Sequence, residues 1–132
     1  MPTGHKELIA WQRSMDLAAS IYTLSRPLRL NKHGDLASQL ERAAVSIPAN
    51  IAEGKGRGSS AEFARFLVIA LGSLREVETL LHLVDQLGLA KKETFLELQK
   101  QADEVGKVLF GLERATRRRS SGSRRPKPKT DA

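Results

Sequence analysis

Few residues in this 132-residue chain have the types and spacing that chemistry needs. Glu78 and His82 stand one helical turn apart and come nearest to a metal-binding pair. Bundle sites for two metals use Glu-x-x-His on each of two helices plus two further carboxylates. Here the pair occurs once with a different spacing, and His5 and His33 lie at the N-terminus and in a loop. Solvent-facing polar side chains are the reading, and neither metal nor cofactor is expected. Residues 54–60, Gly-Lys-Gly-Arg-Gly-Ser-Ser, lead into a helix start, where backbone N–H groups attract anions. No strand precedes them and the Gly-x-x-x-x-Gly-Lys order is missing, so nucleotide hydrolysis is not indicated. They read first as an interhelical turn and second as a phosphate contact through Lys55 and Arg57. There is no cysteine, and no serine lies in a Gly-x-Ser-x-Gly setting. Glu53 and Glu76 could pair as acid and base, but no substrate-binding aromatics accompany them. The expectation is a protein that is not an enzyme.

Charge is the other chemical resource, and it is concentrated. The formal net charge is +7, yet residues 1–113 hold 14 basic and 14 acidic side chains. Residues 114–132 hold eight basic side chains against Asp131 alone. Arg117, Arg118, Arg119, Arg124, Arg125, Lys127 and Lys129 stand among Ser, Pro and Gly with no apolar anchor. That composition predicts a disordered tail over 117–132. The tail is either solvated without a specific partner or an electrostatic contact for RNA or DNA phosphate. An anionic membrane surface is the weakest reading, and no membrane partner is expected.

Four helices must position these groups, because there is no β signal and no repeat. Leu8, Trp11, Met15, Ala18, Tyr22 and Ser25 step 3-4-3-4-3, with Ile9, Leu17, Ile21 and Leu24 widening the apolar face, and predict a helix over 7–25, ended by Pro27. A second helix, capped by Asn31 or Asp35, carries Leu36, Leu40, Ala43, Ala44, Ile47 and Ile51 to about Gly54. Ser59-x-x-Glu62 is a capping box that opens a third helix, with Gly88 closing it. A fourth spans 91–117 on Phe95, Leu98, Ala102, Val105, Leu109 and Leu112. The domain is thus 1–116, an all-α antiparallel up-and-down four-helix bundle.

The third helix has two apolar seams. One is Phe63, Leu67, Ala70, Leu74, Val77, Leu81 and Val84; the other is Phe66, Ile69, Ser73, Glu76, Leu80, Leu83 and Leu87. An edge helix needs one such stripe. The second therefore faces another helix of the chain or another subunit. Gly72 sits mid-helix at a cost of about 1 kcal/mol relative to alanine, which suggests close approach of a neighbouring helix.

The most particular stretch is Ser46-Ile-Pro-Ala-Asn-Ile-Ala-Glu-Gly54. Pro48 interrupts an apolar helical run, and Asn50 and Glu53 lie one turn apart beside it. With Arg57, Ser73 and Glu76 they read as a buried or interfacial polar network that fixes helix register.

This run, followed by Arg57, Phe66-Leu67, Ala70, Gly72-Ser73 and Glu76, resembles the four-helix-bundle proteins first seen encoded in intervening sequences of bacterial 23S ribosomal RNA. The resemblance spans about residues 7–115. It implies a ring-shaped homo-oligomer, a pentamer first. Through the fold the chain also resembles the accessory subunit of diversity-generating retroelements, a basic barrel that partners a reverse transcriptase and its RNA. This chain departs from that pattern in its neutral body. The expected function is a non-enzymatic oligomeric interaction module for nucleic acid or a nucleoprotein, or for a nucleic-acid-processing protein. The alternative is a structural or protein-binding oligomer with no nucleic-acid role. The first six residues do not read as a signal peptide and no run is long enough to span a bilayer, so a cytoplasmic location is expected.

Overall fold

The computed structural model describes residues 4–123. After a 3-10 turn at His5–Glu7 come four helices, α1 (Ile9–Leu30), α2 (Gly34–Gly56), α3 (Ser60–Gln86) and α4 (Lys92–Ser123). There is no strand among the described residues. Each helix packs on the next, and α4 returns to α1. The turns between them are short, so helix direction alternates. The N-terminus, the α2–α3 turn and the C-terminal part of α4 share one end of the bundle.

The core follows the apolar periodicity of α3 and α4. All seven residues of the first α3 seam are buried, as are Phe95, Leu98, Ala102, Val105 and Leu109 of α4. The second α3 seam divides. Phe66 and Leu80 are buried within the chain, while Ile69, Leu83 and Leu87 stay exposed. On α1 the buried line is Ala10, Ser14, Leu17, Ile21, Leu24 and Leu28. The sequence seam through Met15 and Tyr22 is corrected here: both are exposed, because the small Ala10 and Ser14 face the core in place of larger neighbours.

Three boundaries differ from expectation. Pro27 lies inside α1, which continues to Leu30. Pro27 removes one helical donor, but burial of Leu28 and an ion pair at Arg29 hold the following turn. Neither Asn31 nor Asp35 caps α2; the N-cap is His33, without a side-chain hydrogen bond, and Asp35 sits in the first turn facing the helix dipole. α4 runs past Arg117 to Ser123, so residues 117–123 are helical where disorder was expected. The capping box holds: Ser59 Oγ accepts the Glu62 N–H at 3.1 Å. Gly88, at φ +68, follows α3 as expected.

The glycines also sort differently. Gly54 is helical, and a Cβ there would meet Phe66 Cβ at 2.5 Å. No other described glycine lies so near a neighbouring helix, and this contact seats α3 on α2. Gly72, in contrast, has nothing within 4 Å, so no helix of the same chain approaches it. Only Gly58, at φ +85, needs the left-handed region in the α2–α3 turn.

At the opposite end, Arg29 donates to both oxygens of Glu41, at 2.7 and 2.9 Å, and Ser25 Oγ donates to the same carboxylate. The guanidinium and the hydroxyl hold the Glu41 carboxyl at about 2, well below its ordinary value. This clamp joins α1 to α2. Between α1 and α4 the packing is sparser. A cleft there is lined by Leu24, Pro27, Leu89 and Leu98, and it includes Gln101, whose buried Oε1 has no hydrogen-bond partner among the described residues.

Two outcomes follow. Gly54→Ala is expected to lower stability by about 1–3 kcal/mol through overpacking, while Gly72→Ala should be neutral or gain up to about 1 kcal/mol. Urea unfolding of both variants checks this, and equal midpoints would contradict it. Glu41, with a depressed carboxyl, stabilises above the ordinary glutamate range and loses that contribution as pH falls from near 4.5 towards 2. Glu41→Gln should therefore melt below the native chain at pH 7, with the gap closing in acid. A gap independent of pH would rule out the charged clamp.

Candidate nucleic-acid interface

The α2–α3 turn is built on two phenylalanines. Gly54 lets α3 approach, which buries Phe63 and Phe66 against the end of α2. Their rings then carry cations. Lys55 Nζ lies 5.6 Å from the Phe63 centroid. Arg57 and Arg65 lie 5.0 and 4.7 Å from that of Phe66. Each arginine also has a carboxylate. Arg57 reaches Glu53 at 2.7 Å, and Arg65 reaches Glu62 at 3.2 Å, holding the Glu62 carboxyl below its ordinary value. These pairs are exposed and weak. Their effect is to offset the charge of both arginines, leaving Lys55 as the turn's uncompensated cation among the described residues.

α4 delivers further cations to the same end. Its apolar seam passes after Leu109 and the partly buried Leu112 into Glu113, Thr116 and Ser120, all buried. Thr116 Oγ1 donates to Leu112 O at 2.7 Å, and Glu113 accepts from Arg117 Nε at 3.1 Å. Burial of hydrogen-bonded polar groups is tolerated, so the helix continues along the body. Arg117, Arg118 and Arg119 are thereby fixed on its exposed sides. Arg119 borders one hollow with His5, Lys55, Ser59 and Ser60. The turn and the first part of the basic segment, which read as separate contacts in the sequence, form one surface. Arg124, Arg125, Lys127 and Lys129 lie outside the described residues.

The polar motif is spread along the outer face of α2 and α3. Ser46 Oγ and Ser73 Oγ are 2.7 Å apart and bridge the two helices. Asn50 Nδ2 donates to Ser46 O at 2.8 Å and to Ser46 Oγ at 2.9 Å. All three residues are half-buried. Pro48 is buried inside α2, facing the core. Within one chain Glu53 and Glu76 are exposed, so the expected burial is not met by the chain's own helices. Glu53 pairs with Arg57, one turn along α2. The network thus reduces to Ser46, Asn50 and Ser73, with Glu53, Arg57 and Glu76 on the open surface beside it.

Glu78 pairs with Arg75 at 2.9 Å, and His82 packs edge-on against Phe95. No group of three or more His, Asp or Glu side chains gathers in metal-binding geometry among the described residues. No described helix is long and apolar enough to cross a membrane.

Together these features define a small four-helix bundle with a hydroxyl-and-amide bridge on one face and cations at one end. The chain belongs to the family of 23S rRNA-intervening sequence proteins, whose sequence model matches residues 6–111. The match ends ahead of Arg114 and the arginines that follow it. A solved structure from Bacteroides thetaiotaomicron, described as a protein of unknown function from the S23 ribosomal protein family, is similar at 27% identity and a TM-score of 0.76. The similarity covers 80% of this chain and 98% of that one. No match is found among curated proteins.

Proposed function

We propose that this protein is a non-enzymatic, homo-oligomeric interaction module that holds nucleic acid, alone or in a nucleoprotein, by its phosphates. The observation that carries the reading is the length of α4. Its last turns bring Arg119 to the end of the bundle where Lys55 and the α3 N-terminus already lie. Lysine and arginine clusters beside a helix start attract phosphate without reading sequence. The family's name ties its members to ribosomal RNA genes, which fits such a partner.

Self-association rests on the outer face of α3. Ile69, Leu83 and Leu87 are exposed on one side of that helix with Gly72 and Glu76. An exposed apolar stripe suits a second copy of the chain. The family resemblance makes a pentameric ring the first choice. A ring would display several basic ends together and raise avidity.

Two experiments test this. Full-length protein and a Lys55→Ala, Arg119→Ala double variant are titrated against labelled RNA and DNA oligonucleotides by anisotropy. Binding should weaken steeply between about 50 and 200 mM salt, and the variant should flatten that dependence by about 1.4–1.8 in log–log slope. Affinity should change little with sequence. Absence of binding at the lower salt would replace this reading with a protein-binding oligomer. In light scattering, the native chain should give a multiple of the single-chain mass, and Ile69→Glu should reduce it while helicity is kept. A single-chain mass for the native protein would refute self-association.

A further inference from the structure

Three of the four phenylalanines are core residues, each no more than 7% exposed. Phe110 is 49% exposed on the outer side of α4. It lies off the buried seam, which passes through Val105, Leu109 and Leu112. At about 100° per residue, Lys107, Arg114, Arg117 and Arg118 all fall within an arc of about 100° that includes Phe110. Arg114 places its guanidinium 5.9 Å from the ring centroid. Over 107–123 the helix holds five basic residues and a single acid, Glu113. That acid is buried and already paired with Arg117. Asp103, exposed one turn before Lys107, marks the N-terminal edge of this strip. From Lys107 onward the surface is an accessible aromatic ring set in a row of cations.

Isolated exposed apolar residues are common. What distinguishes Phe110 is this charge. A strip of positive charge repels a second copy of itself and a basic partner, and it attracts phosphate. A neutral ring within such a strip suits a nucleobase, because every base offers a π-face while its backbone follows the cations. In a duplex those faces are stacked on one another; in a single strand they are free.

We propose that Phe110 stacks an unpaired nucleobase, with Lys107, Arg114 and Arg118 holding the flanking phosphates, so that the ligand is single-stranded RNA or DNA. This rests on the phosphate-binding reading above, adds to it a second side of α4, about 180° round the helix from Arg119, and names the substrate class.

The test compares a labelled single-stranded oligonucleotide with a duplex of the same length. Phe110→Leu keeps an apolar side chain of similar bulk at a half-exposed position and removes only the π-face. It should weaken single-strand binding about tenfold and leave duplex binding and the salt dependence unchanged. Phe110→Trp should restore the affinity. Arg114→Gln should instead lower the salt slope. Tyr22, the other exposed large aromatic, lies near the Arg29–Glu41 clamp on the α1–α2 side, and Tyr22→Leu should have no effect.

If the native chain binds and Phe110→Leu binds single strands equally well, stacking is refuted while phosphate binding stands. If both ligands weaken together, Phe110 does not distinguish bases and the proposal fails. If Phe110→Leu lowers the oligomeric mass, Phe110 belongs to a contact between copies and the proposal fails. If the native chain binds no nucleic acid at low salt, the functional reading fails and the proposal with it.

Discussion

A methyl group does not fit at Gly54, and much of the molecule depends on that. The backbone of α2 lies so near Phe66 that a Cβ would fall within 2.5 Å of the Phe66 Cβ. This contact sets the distance between α2 and α3 at their shared turn. Further along the same pair of helices the spacing is close enough for Ser46 and Ser73 to meet at 2.7 Å. It also buries Phe63 and Phe66 beneath the turn, so that Lys55, Arg57 and Arg65 rest on aromatic rings. Small residues thus do two jobs along one seam. They bring two helices together, and they leave a surface where polar and charged groups are held in place.

The second organising feature is the change of composition along α4. Its inward face is apolar through Leu109 and Leu112 and then switches to Glu113, Thr116 and Ser120. These residues are buried without being hydrophobic, because Thr116 bonds to its own backbone and Glu113 to Arg117. The result is a helix that stays docked while its other sides become strongly basic. A disordered basic tail would explore many positions. A docked one presents Arg119 beside Lys55 in a fixed arrangement.

Much of this was legible in the sequence, and the failures have definite causes. The helix count, the first α3 seam, the α4 seam to Leu109 and the Ser59 cap follow from periodicity and capping chemistry, and they hold. The end of α4 was hidden because periodicity counts apolar residues, and Thr116 and Ser120 are not apolar. On α1, Leu17, Ala18, Ile21, Leu24 and Ser25 are buried as read, but Ile9, Met15 and Tyr22 are exposed, because the small Ala10 and Ser14 take the inward positions and weigh little in a seam count. Pro27 reads as a stop, but tertiary contacts of Leu28 and Arg29 outweigh the lost donor. Gly54 and Gly72 exchanged roles. A glycine in a turn-like run proved to be the close contact, and a glycine inside a helix proved open, since which face a glycine lies on depends on neighbours far away in sequence. The union of Lys55 with Arg119 could not be read at all without the true length of α4. The exposure of Phe110 had no signal in the sequence, because it looks like one more apolar residue in a helix rich in them.

The sparse α1–α4 seam has a consequence for how the chain folds. The other helix pairs are neighbours in sequence, joined by turns of a few residues. Their contacts close short loops, which cost little entropy and form quickly. Only α1 with α4 joins the two ends of the chain, across nearly its whole length, and it does so beside a cleft containing an unsatisfied Gln101 oxygen. That seam gains least for the largest entropic outlay. The bundle is therefore expected to zip from hairpin to hairpin and close there last, and amide hydrogens along the α1–α4 border should be the first in the body to exchange with solvent.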